Sequence, residues 1–212
     1  MKILLRRHGK NMQILETFKK YFKPVQEESS KIEYSVCKKC GGGCCHSLGC
    51  HISPHDLLFI SKESIRNLIN ESQCISIDWW DGDPVTGING GEKSFFLRIK
   101  NKNSFVIDPS FGGICSILTD SGCPLNFAYR PKGARELIPV PGDKDCHVGY
   151  SKQECAADWL PYNNILKELC EEYMDENNCT VIALLEFNMI DPIHALIIMN
   201  EIFESMFGGN NE

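Results

Sequence analysis

The apolar residues Ile14, Leu15, Phe18 and Phe22 recur at spacings of one, three and four, which places one apolar stripe on a helix over about 12–22 that must stop before Pro24. The polar stretch 26–31 reads as a linker. Ser53, Pro54 and Asp56 then supply an N-cap, a first-turn proline and an early acid ahead of Leu57, Leu58 and Ile60, so a helix is predicted to start there. Ile65, Leu68 and Ile69 either extend it or belong to a second helix opening near Ser61. Ile75, Ile77 and Trp79 alternate with polar neighbours as strand residues do, before the turn residues Asp81, Gly82, Asp83 and Pro84. The segments 94–100 and 104–107 flank Asn101, Lys102 and Asn103, which predicts a hairpin.

The periodicity weakens between Phe111 and Pro141, where glycine, proline and cysteine punctuate the chain. A stretch like this needs something other than its own ladder of hydrogen bonds to hold it. Residues 151–174 read as helical with an interruption at Pro161, and Asp191 and Pro192 open a last helix containing Ile193, Leu196, Ile197, Ile202 and Phe203. The stretch 180–187 fits strand or helix equally. The pattern as a whole predicts an α+β protein: a small antiparallel sheet, a loop-rich core in which cysteines ligate a metal, and flanking helices. It divides into an N-terminal helix and linker over 1–30, a cysteine-cluster domain over 31–150, and a helical segment over 151–212 packed on it.

Composition narrows the function. The chain has 212 residues, a net charge of −6 and 42% hydrophobic residues, an ordinary globular balance without the basic excess that draws a protein to nucleic acid or anionic lipid. No apolar stretch has the length of a bilayer span or of a signal-peptide core, so a cytoplasmic protein is expected. In a reducing compartment twelve cysteines would not form a disulfide framework, and the count turns toward metal.

Four cysteines, Cys37, Cys40, Cys44 and Cys45, lie within nine residues, with three glycines between Cys40 and Cys44 that let the backbone fold around a common centre. Thiolates so crowded repel one another unless a cation or cluster neutralises them. Cys115 and Cys123 repeat the theme of glycine beside cysteine and are the expected second half of the site. Cys50 and Cys155 are further candidates, whereas Cys74, Cys170 and Cys179 read as core or surface cysteines. Among the histidines near the run, His51 is the one that could ligate. Trp79 and Trp80 read as one buried and one exposed strand residue.

These motifs, in this order, resemble the YkgJ-type cysteine-cluster family, a zinc- or iron-chelating domain. Its members carry CxxC, a glycine-containing gap and CC, then two more cysteines, a tyrosine step and RPxxCRxxP. The matching residues are Cys37, Cys40, Cys44, Cys45, Cys115, Cys123 and the run from Tyr129 to Pro139, and the resemblance covers roughly 37–150. The family's cysteine in RPxxCR is Ala134 here, although Arg130, Pro131, Arg135 and Pro139 stand. The resemblance implies Cys146 as the substitute, with His147 beside it as the alternative. Arg130 and Arg135 would then offset thiolate charge around a bound cofactor, unless they simply pair with nearby acids.

Seven such cysteines exceed the four that one zinc accepts, which favours an iron–sulfur cluster, most naturally 4Fe-4S, with zinc close behind. Two functions follow. One is a metal-binding protein whose cluster is redox-active or serves as an accessory to an enzyme, its partner being another protein or a small-molecule substrate, without nucleic acid or membrane. The alternative is a zinc-stabilised binding module without catalytic activity. A thiol oxidoreductase built on Cys37 and Cys40 would leave the other cysteines unexplained. Some relatives act on flagellin lysines as methylases, but no glycine-rich S-adenosylmethionine fingerprint appears here, so that activity is not carried over.

Overall fold

The computed structural model describes residues 2–26, 43, 45, 50–80, 94–102, 104–107, 113–120, 122–139 and 146–177. The predicted ligands Cys37, Cys40 and Cys44, the stretch 180–187 and the predicted helix after Asp191 lie outside them. The order of elements is α1 (Lys2–Tyr21), β1 (Cys50–Ile52), α2 (Lys62–Ser72), β2 (Ile75–Trp80), β3 (Ser94–Ile99), α3 (Lys132–Arg135), β4 (Leu137–Pro139), β5 (Cys146–Val148), α4 (Lys152–Trp159) and α5 (Asn163–Asn177). Short 3-10 turns cover Pro54–Asp56, Phe127–Tyr129 and Leu160–Tyr162. This is an α+β arrangement with two small antiparallel sheets, a three-stranded one in the order β1-β3-β2 and the pair β4-β5.

The apolar stripe of α1 behaves as its spacing predicts. Ile14 and Phe18 are buried, Phe18 stacks on Phe22 at 4.4 Å, and the helix ends before Pro24. It begins earlier than the periodicity suggested, at Lys2. The Ser53, Pro54 and Asp56 start makes one 3-10 turn instead of a helix, because Leu57 returns to extended backbone. The helix that follows is a separate element: Ser61 caps α2 by accepting from the Ser64 N–H at 3.1 Å, and Gln73 ends it in the left-handed conformation. Its buried residues Ile65, Leu68 and Ile69 face the sheet and α1, while Lys62 and Arg66 on the other side pair with Glu172 of α5. The proline interruption at 161 falls between α4 and α5, where a 3-10 turn joins them.

The predicted hairpin of 94–100 with 104–107 is not formed. β3 pairs instead with both β2 and β1, Ile99 standing opposite Ile75 on one side and Cys50 on the other. The segment 104–107 lies along the outer edge of β2: Ser76 donates to the Phe105 carbonyl, the Ile77 N–H donates to the Val106 carbonyl, and Ile107 bridges Ile77 in parallel. The cause is burial. All six residues of β3 are buried, so the strand belongs in the centre of a covered sheet, not in an isolated ribbon.

Buried residues from α1, α2, the sheet, α4 and α5 form a single hydrophobic cluster, with Trp79, Trp159, Phe18 and Phe22 among its largest members. α4 covers the edge strand β1: Trp159 Nε1 donates to the Ile52 carbonyl at 2.7 Å and the Cys155 thiol reaches the same oxygen at 3.5 Å. One face of the sheet carries charge into this core. Asp78 lies 3.4 Å from Arg98 and 3.2 Å from Lys152, and burial holds its carboxyl above the ordinary range against the pull of both cations. Among the described residues no helix is long and apolar enough to cross a membrane.

Phe18 ties α1 to this core with no exposed surface. Phe18→Ala is expected to lower the unfolding free energy by about 3–5 kcal/mol, the usual range for emptying such a site. Chemical denaturation followed by tryptophan fluorescence measures it, and a loss below about 1 kcal/mol would mean that α1 is not part of the cooperative unit.

Candidate metal centre

Asp56 builds the frame of the site. Its carboxylate accepts from the Ser53 N–H at 2.9 Å, from the Lys132 N–H at 2.8 Å and from Arg135 Nη2 at 2.9 Å, while the residue is almost fully buried. The turn after β1 and the start of α3 are thus joined through one charged group. Arg135 also donates through Nη1 to the Arg130 carbonyl, and Arg130 Nε donates to the Leu125 carbonyl at 3.0 Å. Leu125 follows Cys123 by two residues, so the two arginines hold the backbone that carries that cysteine. A second carboxylate extends the frame: Asp158 of α4 accepts from Tyr150 Oη at 2.7 Å and from Ser53 Oγ at 3.2 Å. Lys132 sits 4.0 Å from the centre of the Tyr150 ring.

α3 packs backbone to backbone on β1. A Cβ at Gly133 would stand 2.6 Å from the His51 nitrogen and 2.7 Å from its oxygen, so no other residue fits there without parting the two elements. This contact sets Ala134 beside Cys50. The Ala134 N–H donates to the Pro131 carbonyl at 2.9 Å.

The segment with Cys115 reaches the same region from β3. Cys115 bridges Asn101 in antiparallel register, with the Ser116 N–H on the Lys100 carbonyl and the Lys102 N–H on the Ile114 carbonyl. Gly113 has φ +131°, and a Cβ on it would strike the Asn101 side chain at 2.8 Å, which explains the glycine before this bridge. On its far side the Cys115 N–H donates to the Cys45 carbonyl at 2.8 Å. The two cysteine-bearing stretches that the sequence separates by seventy residues are therefore in direct contact at Cys45 and Cys115. Cys123 follows the tight turn closed by Thr119 and Gly122.

Burial governs the thiols here. Burial pushes the Cys115 thiol up to about 11, with Cys123 adding to the rise. Burial likewise holds Cys50 well above the ordinary thiol range, and Cys115 and Cys123 raise it further. Cys45, Cys50 and Cys123 are partly buried and pack on the core, and Cys115 is buried. Cys146 opens β5 opposite Pro139, the last residue of β4, and it is half-buried. None of the eight described cysteines is in a disulfide. Among the described residues no group of three or more His, Cys, Asp or Glu side chains is arranged to hold a metal ion, and three of the predicted ligands lie outside those residues.

Other sequence candidates have places of their own. Cys155 and Cys170 are buried in α4 and α5, and burial pushes the Cys170 thiol to about 12. His51 leaves β1 on the face opposite to Cys50, edge-on to the Phe96 ring at 5.4 Å, and burial lowers its imidazole to about 4. The sequence reading missed Asp56 as more than a helix-start residue. A signal was available: an acid in a buried turn and an arginine after a proline-glycine stretch, each needing a partner.

Because Asp56 and Arg135 share one buried contact, Asp56→Ala and Arg135→Ala should each destabilise the protein by about 3–5 kcal/mol, and the double variant by little more than the worse single one. Thermal denaturation of the four proteins closes the cycle, and additive losses would show that the two side chains act separately.

No protein-family model matches the chain, and no curated protein and no solved structure is significantly similar to it.

Proposed function

We propose that this chain is a metal-binding protein that holds an iron–sulfur cluster, or zinc, through its clustered cysteines, as its resemblance to the YkgJ-type family implies. The observation that carries this reading is the 2.8 Å hydrogen bond from the Cys115 N–H to the Cys45 carbonyl. It brings the end of the cysteine run to the second cysteine segment, as a shared centre requires. The chemistry of the donor set fits as well. Thiols held in apolar surroundings beside one another are costly to ionise alone, and a cation removes that cost by bonding the thiolates.

Cys45, Cys115 and Cys123 are the described residues that would hold the metal, joined by Cys37, Cys40 and Cys44 from the run, with Cys146 as a further donor. A bound cluster would supply one-electron chemistry, and bound zinc would supply folding free energy. The protein's own part is to set the sulfurs. Arg130 fixes the backbone at Leu125, Arg135 fixes Arg130, and Asp56 fixes Arg135. Electron transfer or an accessory role to an enzyme is the favoured use of such a centre, in a cytoplasmic protein.

The test is an absorption spectrum with iron, zinc and acid-labile sulfide analysis of protein purified without oxygen and without a metal-binding tag. Iron with sulfide is the expected result; zinc alone would favour a binding module in which the metal replaces missing secondary structure, and metal-free protein would end the proposal. Cys115→Ser and Cys123→Ser are expected to abolish stoichiometric metal, whereas Cys170→Ser keeps it. Equal metal in all three variants would remove the ligand assignment.

A further inference from the structure

The contact between Cys45 and Cys115 has a second chemistry open to it, because thiols that can serve a metal can also be oxidised to each other. Two residues joined by a backbone N–H to C=O bond have α-carbons about 5–6 Å apart, and those of a cystine lie about 4.4–6.8 Å apart. The 2.8 Å bond from the Cys115 N–H to the Cys45 carbonyl therefore places this pair within the span that a disulfide bridges. Their side chains share surroundings as well. Cys115 belongs to the hydrophobic cluster and Cys45 packs against the same cluster, so both turn into one apolar region as free thiols.

Exposure divides the roles of the two residues. Cys45 is half-buried, whereas Cys115 is only 7% exposed. Burial also pushes the Cys115 thiol up to about 11, which keeps it protonated and slow toward an oxidant in solution. An oxidant therefore meets Cys45 first, and Cys115 is the partner that follows. The backbone at Cys115 has room to adjust for that step, since it is held by the bridge to Asn101 and single hydrogen bonds. Cys155 lacks this setting: it sits within α4 with its thiol directed at the Ile52 carbonyl.

We propose that Cys45 and Cys115 are a redox pair that hydrogen peroxide closes to a cystine, and that closure empties the metal centre. The release rests on the metal-centre reading; the cystine does not. The Cys45 sulfur attacks the peroxide O–O bond and keeps one oxygen as sulfenic acid, while the other oxygen leaves as water. The Cys115 sulfur then forms the S–S bond and displaces the sulfenic oxygen as a second water. Two thiols and one peroxide thus give one cystine and two waters, the sulfurs losing the two electrons that the peroxide gains. Because thiolate is the form that ligates metal, the cystine withdraws two donors at once, and a thiol reductant returns them. A transient cystine is also the kind that a reducing compartment permits.

The experiment uses the full wild-type chain, purified without oxygen, treated with hydrogen peroxide, alkylated at its remaining thiols and digested for mass spectrometry of linked peptides. Cys45 joined to Cys115 is the expected principal link, and dithiothreitol is expected to undo it. Cys44→Ser should keep the link and Cys45→Ser should lose it, which separates the two neighbours. Metal is measured on the same samples: it is expected to leave in step with the link and to return when dithiothreitol and metal are added back. Peroxide that yields no cystine, or that joins these residues to other partners instead, overturns the pair. Metal lost without the link overturns the switch. Wild-type protein free of metal as purified would end the metal reading and the release with it, while the peptide map still decides the pair.

Discussion

A single buried carboxylate organises the middle of this protein. Asp56 takes a hydrogen bond from its own turn, one from the first residue of α3 and one from the guanidinium at the end of α3. Its main-chain carbonyl also accepts the Lys23 N–H at 2.8 Å, so the exit from α1 is fastened to the same residue. Carrying a charge into the core is costly, and the cost is met only when partners are complete and charge-assisted. The consequence is cooperative. The turn after β1, the helix α3 and the end of α1 keep their places together, and the cysteines on either side inherit their positions from them.

The central sheet separates two kinds of chemistry. On one face, Cys50 and Cys115 follow the alternation of apolar residues that includes Ile75, Ile77, Leu97 and Ile99. On the other lie His51, Asp78 and Arg98, with Lys152 reaching in from α4. Strand alternation alone keeps them apart. A charge network on the thiol side would compete with any cation for the sulfurs, while on its own side it serves to fix α4 against the sheet.

Much of the helical architecture was legible because its signals are local. The helix start at Ser61, the stripes of α1 and α2 and the break at Pro161 each act within one turn of chain. Strand pairing was not legible in the same way. Asn101, Lys102 and Asn103 resemble a hairpin turn, but the choice of partner for β3 depends on which strands can cover both its faces, and those are distant in sequence. The candidate site shows the same split. The run 37–45 and the pair Cys115 and Cys123 announce themselves by composition, and their meeting at Cys45 and Cys115 is consistent with one site. Cys50 and Cys155 could not be told apart from sequence, because both are single cysteines flanked by ordinary residues. The fold separates them: Cys50 lies on β1 opposite Ile99, where Gly133 comes up against His51, and Cys155 lies on α4.

That glycine has a mechanical consequence. With the peptide of His51 directly against Gly133, the gap between β1 and α3 has no side chain in it whose rotamer could give. The spacing between β1 and α3 is thus set by the covalent dimensions of the main chain. The stretch around Cys115 and Cys123, by contrast, is joined to the rest by isolated bridges and single hydrogen bonds instead of a continuous ladder. A displacement in this part of the fold is therefore taken up around Cys115 and Cys123 before it parts β1 from α3, as in a vice with one fixed jaw.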